Sequence, residues 1–312
     1  MKYAVGVDIG GTTVKIGIFE ENSKLVEKWE IPTVTADGGK QIVGDIAKSV
    51  LAKLEANGIA KSDVLGIGVG APGAVDEEGY MPGGAVNLGW KPFNMKEAFE
   101  KEFEGIPVKG ANDANVAAFG EMWQGGGRGH DDMVAVTLGT GVGGGIIING
   151  KILAGSTGAG GEIGHIHIVD DEPDTCGCGG HGCLEQYASA TGIVRLANRR
   201  LAKDDAPSVL REGELTAKAV FDAVKAGDKV AIEIAEQFGY YLGKGLAAVA
   251  NVVNPQIFVI GGGVSKAGEI LLSFIEPSFK KYSFPASRGA KFALAQLGND
   301  AGIVGAAGMI LQ

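Results

Sequence analysis

The chain has 312 residues, a formal net charge of −9 and a hydrophobic content of 45%, enough to fill the cores of one or two soluble domains. The acidic balance and the lack of any Lys/Arg block argue against nucleic acid as a partner, because neutralising phosphates along a duplex takes clustered cations. Met1-Lys2 runs directly into a short apolar segment broken by Asp8, with no secretory apolar region and no stretch near the ~20 apolar residues of a membrane helix, so a cytoplasmic protein without membrane contact is expected.

In chain order, Tyr3 to Asp8 and Val14 to Phe19 read as two strands joined by the turn Gly10-Gly11-Thr12-Thr13, a hairpin rather than a strand-to-helix step. Helical spacing follows from about Lys40 to Ala56, then a strand at Val64 to Val69, a helix at Met95 to Glu104 and a short strand at Val108. A helix starts near Asn112-Asp113, either of which suits the N-cap, and turns Ala117 and Ala118 inward. The opening pattern then recurs: Met133 to Leu138 is apolar and β-branched, a glycine turn follows, and Gly145 to Asn149 returns as a strand. This repetition predicts a duplicated architecture. Beyond it, helices are expected over Leu184 to Ala202, Ala217 to Ala226, Val230 to Ala250, Ile270 to Phe279 and Ala301 to Leu311, with strands at Gln256 to Ile260 and Lys291 to Ala295.

Glycine is the compositional anomaly, at 53 of 312 residues, more than twice the ~7% of an average protein. The glycines gather in runs, which marks places where a ligand approaches the main chain closely. Gly139-Thr140-Gly141-Val142-Gly143-Gly144 matches the dinucleotide fingerprint in letters but leads into a strand, whereas that fingerprint must open a helix. What remains is a pair of glycine hairpins whose N–H groups can cradle phosphate oxygens, with the hydroxyls of Thr12, Thr13 and Thr140 as further donors. Asp8, just ahead of the first turn, would repel phosphate unless a cation lay between, which suggests Mg²⁺ held through water. Gly261-Gly262-Gly263 follows another apolar strand and would let an adenine or ribose lie against the backbone.

All three cysteines fall in Cys176-Gly-Cys178-Gly-Gly-His-Gly-Cys183. Three thiolates at this spacing close around one tetrahedral Zn²⁺ if a histidine supplies the fourth corner, and His165, His167 and His181 are the candidates. The odd count argues against a disulfide framework. A carboxylate at Asn112-Asp113 is placed to accept a proton from an attacking hydroxyl, and Glu162, His165 and Glu185 bracket the metal loop as candidate partners for the hydroxyls of a polyol.

Taken together, these motifs resemble the ROK family of sugar kinases, within the hexokinase, Hsp70 and actin superfamily, and most closely its bacterial glucokinases. The matching segments are Asp8-Ile-Gly-Gly-Thr-Thr13, Gly70-Ala-Pro-Gly73, Asn87-Leu-Gly-Trp90, Asn112-Asp113, Leu138-Gly-Thr-Gly-Val-Gly-Gly-Gly145, Gly161-Glu-Ile-Gly-His165 and Cys176 to Glu185. The resemblance implies an α/β, two-domain, actin-like (ribonuclease H-like) fold with sugar and ATP in a cleft. It would place residues 1–111 plus 300–312 in a small N-terminal domain and 112–299 in a larger domain with the zinc loop. It implies Asp113 as catalytic base, Asn87, Asn112, Asp113, Glu162, His165 and Glu185 as sugar ligands, and His165, Cys176, Cys178 and Cys183 around structural zinc. ATP and Mg²⁺ would be held by Asp8, Gly10, Gly11, Thr12, Thr13, Gly139, Thr140, Gly141, Gly143, Gly144, Gly262 and Gly263. The implied reaction is phosphorylation of glucose at its 6-hydroxyl by a homodimer or homotetramer. Rival readings are a kinase for N-acetylmannosamine, N-acetylglucosamine, fructose or allose, or a silent sugar sensor. Family repressors carry a DNA-binding domain ahead of the first strand, so a DNA-binding role is not expected.

Overall fold

The computed structural model describes residues 1–312. The chain divides into two compact units, one of Met1–Gly129, Gly145–Gly161 and Gln296–Gln312, the other of His130–Gly144 and Glu162–Ala295.

In the first unit, β1 (Tyr3–Ile9) and β2 (Thr13–Glu20) form the expected hairpin, in register from Tyr3 opposite Glu20 to Ile9 opposite Val14. β3 (Leu25–Pro32) extends it as an antiparallel edge strand. Sequence patterning gives no warning of β3, because its residues alternate only between half-buried and exposed, and Glu27, Lys28 and Glu30 mask the apolar face. After the distorted turn α1 (Ala36–Gly39) and the helix α2 (Ile42–Ala56), β4 (Val64–Ala71) pairs parallel to β1. A two-residue hairpin, β5 (Tyr80–Met81) with β6 (Phe93–Asn94), precedes α3 (Met95–Glu102). β7 (Val108–Asn112) then completes the sheet order β3-β2-β1-β4-β7. The core between this sheet and α2–α3 is built from Val5, Ile16, Ile46, Val50, Phe99 and Phe103, all fully buried.

The other sheet face carries α4 (Asp113–Gln124) and the C-terminal helix α10 (Ala301–Leu311). Ala118 of α4 is buried as expected, whereas Ala117 is only half-buried. The first unit therefore takes in α4, which the expected boundary after residue 111 gave to the second domain: α4 packs along α10, so the two cannot be parted. This contact accounts for much of the glycine. A Cβ on Gly68 of β4 would lie 1.8 Å from the Ala306 carbonyl oxygen, and one on Gly6 of β1 would lie 2.0 Å from that of Ile303. Many glycines thus serve backbone-to-backbone packing rather than ligand approach.

The second sheet has the order β10-β9-β8-β11-β12, built from β8 (Met133–Leu138), β9 (Val142–Ile148), β10 (Lys151–Ile152), β11 (Ile257–Gly261) and β12 (Lys291–Leu294). Strand for strand it repeats the first sheet, including the parallel pairs at the last two positions, which is the predicted duplication. The glycine turn is shorter than expected, because β9 begins at Val142 and Gly143 and Gly144 lie within the strand.

The helices of the second unit are α5 (Glu185–Ala188), α6 (Ala190–Leu201), α7 (Ala217–Lys225), α8 (Lys229–Val253) and α9 (Ile270–Tyr282). The single helix expected over Leu184 to Ala202 is broken at Ser189, which is extended (ψ 173°) and whose hydroxyl caps α6 by accepting from Gly192 N–H. Ahead of the cysteines, the Glu172 side chain is fully buried. It takes a bidentate contact from Arg199 at 2.7 and 2.9 Å and a hydrogen bond from the Tyr187 hydroxyl. The Arg199 guanidinium, aided by Tyr187, holds the Glu172 carboxyl down at about 2 against the cost of burial.

Two outcomes follow from this packing. Gly68→Ala should destabilise the chain by ~3 kcal/mol through overpacking, while Gly44→Ala, in α2 with open space around it, should be neutral or stabilising by up to ~1 kcal/mol; urea denaturation of both variants checks the contrast. Glu172→Gln should cost ~3 kcal/mol at pH 7. Because the folded Glu172 ionises below the unfolded carboxyl, that deficit should be complete above about pH 4.5 and shrink as the pH falls towards about 2. A pH-independent difference would contradict the ion-pair account.

Candidate functional site

In the first unit, Asp8 stands one residue before the end of β1, opposite Lys15 of β2. Burial pushes its carboxyl up to about 6, with the charge of Asp113 adding to the rise and Lys15 opposing it. The start of α10 lies against it, since a Cβ on Gly302 would fall 2.4 Å from the Asp8 carboxyl carbon. The adjacent turn is closed by Gly10 N–H donating to the Thr13 carbonyl at 3.0 Å. It is braced from outside by Thr33, whose hydroxyl donates to the Gly10 carbonyl at 2.7 Å and whose N–H donates to the Thr12 carbonyl at 2.9 Å. Gly11 and Thr12 are exposed at its tip. Asn87, also exposed, lies on a short 3₁₀ turn with its amide nitrogen 3.9 Å from where a Cβ on Gly11 would stand.

The N-cap of α4 is Asn112: its Oδ1 accepts from Ala114 and Asn115 N–H at 2.9 and 3.2 Å, while its Nδ2 donates to the Gly73 carbonyl at 3.0 Å. Asp113 is then the first helical residue, and its Oδ1 accepts from Ala114 N–H at 2.8 Å. Asp8, Asn87, Asn112, Asp113 and the first glycine turn therefore all belong to one unit.

The second unit holds the cysteine loop. The donor atoms of His165, Cys176, Cys178 and Cys183 lie within 4.8 Å of one another. Cys178 Sγ is 3.7 Å from Cys183 Sγ, and Cys176 Sγ is 3.7 Å from His165 Nδ1. A tetrahedron with metal–ligand bonds of 2.0–2.3 Å has edges of roughly 3.5–3.8 Å, so these residues are set as the corners of a one-ion site. The rival histidines are occupied elsewhere. His167 spans the His181 carbonyl at 2.8 Å and the Asp170 carboxylate at 3.0 Å, and His181 Nδ1 meets the Glu172 carbonyl at 3.1 Å. Burial pushes the Cys176 thiol up to about 12, while the Gly180 N–H lowers Cys178; a dication at the centre would convert all three to thiolates.

His165 has two outlooks. Its Nδ1 faces the thiols, and its Nε2 lies 3.9 Å from the Glu162 carboxylate. Glu185 flanks the cluster from the start of α5: Oε1 accepts from Cys176 Sγ at 2.9 Å and lies 3.8 Å from His165 Nδ1. Its Oε2 stands 2.5 Å from where a Cβ on Gly141 would be, so a side chain there would push the Glu185 carboxylate aside. The turn itself is held by Gly139 N–H donating to the Gly141 carbonyl at 3.0 Å, with Thr140 exposed.

Gly262, with φ +85° and the Leu138 backbone 2.5 Å from its would-be Cβ, bends the chain sharply after β11. Gly263 lines a cavity of about 330 Å³ with Ala190, Lys218, Phe221, Lys225 and Val264. Sequence reasoning reached the glycines but not the walls of this cavity, nor Thr33, Ser189 and Thr191, whose hydroxyls bond to backbone; the one available signal was the Ser189-Ala-Thr191 step inside an otherwise helical stretch.

The arrangement can hold a metal ion, anionic groups at two glycine turns and a planar ring in an apolar cavity. Comparison with known proteins agrees. Residues 4–312 match the ROK family. A glucokinase of Halalkalibacterium halodurans is 45% identical over all of this chain and 96% of its own length, and one of Thermotoga maritima is 36% identical over 99% and 97%. Among solved structures, a ROK family glucokinase from Streptomyces griseus, in complex with glucose and AMPPNP, is 37% identical with a TM-score of 0.71, covering 98% of each chain. A ROK hexokinase from Thermus thermophilus reaches a TM-score of 0.79 at 30% identity, over 98% of this chain and 96% of its own. This chain belongs to the ROK family.

Proposed function

We propose that the protein transfers the γ-phosphoryl group of ATP to the 6-hydroxyl of glucose. The observation that carries the reading is the placement of Asp113, a carboxylate at the first position of a capped helix and within electrostatic reach of Asp8 beside a glycine turn. The full-length 45% identity to a glucokinase, and the 37% identity to one solved with glucose and AMPPNP, supply the substrates.

In this reading Asp113 accepts the proton of the 6-hydroxyl as the bond to phosphorus forms. The transition state spreads its charge over the transferring group, so most of the catalysis is positioning plus electrostatic stabilisation. Asn87, Asn112, Glu162, His165 and Glu185 hold the sugar's hydroxyls; Asn112, with Oδ1 spent on the cap, contributes through Nδ2. The N–H groups of Gly11, Thr12 and Thr13, and of Thr140 and Gly141, meet the phosphates, with the threonine hydroxyls beside them, while Gly10 and Gly139, whose own N–H groups close the two turns, shape them. Gly143 and Gly144 act from within β9, by leaving that turn uncrowded. Adenine lies in the cavity lined by Phe221 and Val264, where Gly262 and Gly263 let it approach the main chain. Asp8, through water, would hold the Mg²⁺ that offsets phosphate charge.

His165, Cys176, Cys178 and Cys183 fit Zn²⁺ in dimension and in donor chemistry. Four protein ligands leave no open position, so its role is structural. Bound there, it would fix the His165 ring, and with it the direction of Nε2, and would set the backbone from which Glu185 projects.

Three measurements check this. Coupled ADP release with ATP and Mg²⁺ across a panel of hexoses should be fastest with glucose; turnover confined to an N-acetylated sugar would change the substrate, and none at all would remove the kinase. Asp113→Asn should lower kcat by ~10³-fold while calorimetric glucose affinity stays within about threefold, and near-full activity would refute the base. Stripping zinc should weaken glucose binding by about tenfold, measured without nucleotide; unchanged affinity would refute the coupling.

A further inference from the structure

The corner between α5 and α6 touches both the metal loop and the second glycine turn. Ala190 N–H donates to the Gly139 carbonyl at 2.8 Å, and the Thr191 hydroxyl donates to the Thr140 carbonyl at 2.8 Å. Ser189 Oγ donates to the Glu185 carbonyl at 2.6 Å and lies 2.9 Å from Thr191 Oγ1. Each hydroxyl has one proton. With that of Ser189 given to Glu185, the proton of Thr191 is left for Thr140.

In a trans peptide, the C=O and N–H vectors are antiparallel. Drawing the carbonyls of Gly139 and Thr140 towards the α6 corner therefore turns the N–H groups of Thr140 and Gly141 away from it, side by side. Two adjacent N–H groups aimed outward from a fixed turn form a nest for an anionic oxygen. Nothing else bonds the Thr140 carbonyl from a side chain. Thr191 is exposed, so its hydroxyl is not needed to fill a core.

We infer that Thr191 is a positioning residue for the phosphates of the nucleotide: by holding the Thr140 carbonyl it aims the Thr140 and Gly141 N–H donors. The inference rests on the proposed reading that ATP phosphates sit at this turn. The same corner joins the turn to Glu185, whose carboxylate flanks Cys176 and Gly141, so the hydroxyl pair Ser189–Thr191 is one link, beside that carboxylate and the Ala190 N–H, between the metal loop and the phosphate turn.

The test uses the full-length, zinc-loaded protein with Thr191→Val and Thr191→Ser, titrated with adenosine and with the non-hydrolysable analogue AMPPNP. Losing one aimed pair of donors should weaken AMPPNP by about tenfold and lower kcat for glucose, while adenosine affinity, the KM for glucose and the melting temperature hold. Thr191→Ser, which keeps the hydroxyl, should restore AMPPNP binding. Equal losses for adenosine and AMPPNP would place the effect in the ring cavity and overturn the inference, as would no loss at all or a failure of serine to rescue. Wild-type protein that binds neither ligand would instead remove the reading on which the inference rests.

Discussion

The second unit is organised around an electrostatic requirement: three sulfurs and an imidazole nitrogen held within 4.8 Å of one another. As thiolates these groups repel, and as thiols they gain little from the contact, so the arrangement is favoured most by a dication at its centre. From that point the consequences run outward. His165 is set with one nitrogen on the cluster and the other towards Glu162, and Glu185 is brought over Gly141. The helix that begins at Glu185 ends at Ser189, where the chain turns to hold the carbonyls of the glycine turn. A small loop thereby fixes candidate sugar ligands and candidate phosphate donors together. The network of buried Glu172 and Tyr187 with half-buried Arg199 ties the loop to α5 and α6 independently of any metal.

The first unit reaches its order by contact rather than by coordination. α10 is a helix of small residues because the sheet beneath it is bare of side chains at Gly6 and Gly68, and α4 meets α10 backbone to backbone at Gly120 and Gly305. Such close approach raises the number of dispersion contacts and removes slack. It also carries Gly302 to the side of Asp8 and the start of α4 near the same carboxylate. Burial then raises the proton affinity of Asp8, so its charge at neutral pH costs free energy until a cation is near. The glycine that looked like ligand chemistry in the sequence is thus divided between packing and turns.

Much of this was legible in the sequence because it is written in local chemistry. The hairpin at Gly10 to Thr13, the recurrence at Leu138, the helix at Ala301 to Leu311 and the three clustered cysteines each depend on residues close in the chain. What was not legible depends on contacts between distant segments. β3 hides its pairing behind charged residues, and Gly143 and Gly144 read as turn although the strand already runs from Val142, because glycine carries no β-branched signal. The spacing alone left His165, His167 and His181 open; the family resemblance pointed to His165, and the hydrogen bonds at the His167 and His181 rings favour it. Asn112 and Asp113 were equally good caps on paper, and only the observed acceptor at Asn112 Oδ1 separates them. The break at Ser189 was missed because helical spacing continues across it.

The most direct test of the metal-centred account is X-ray absorption at the zinc K-edge of the purified protein, with metal content measured on the same sample. The account predicts one zinc per chain with three sulfur neighbours at about 2.3 Å and one nitrogen at about 2.0 Å, and loss of the nitrogen shell in His165→Ala but not in His167→Ala or His181→Ala. A shell without nitrogen, a nitrogen shell that survives loss of His165, or a protein that binds no zinc would contradict it.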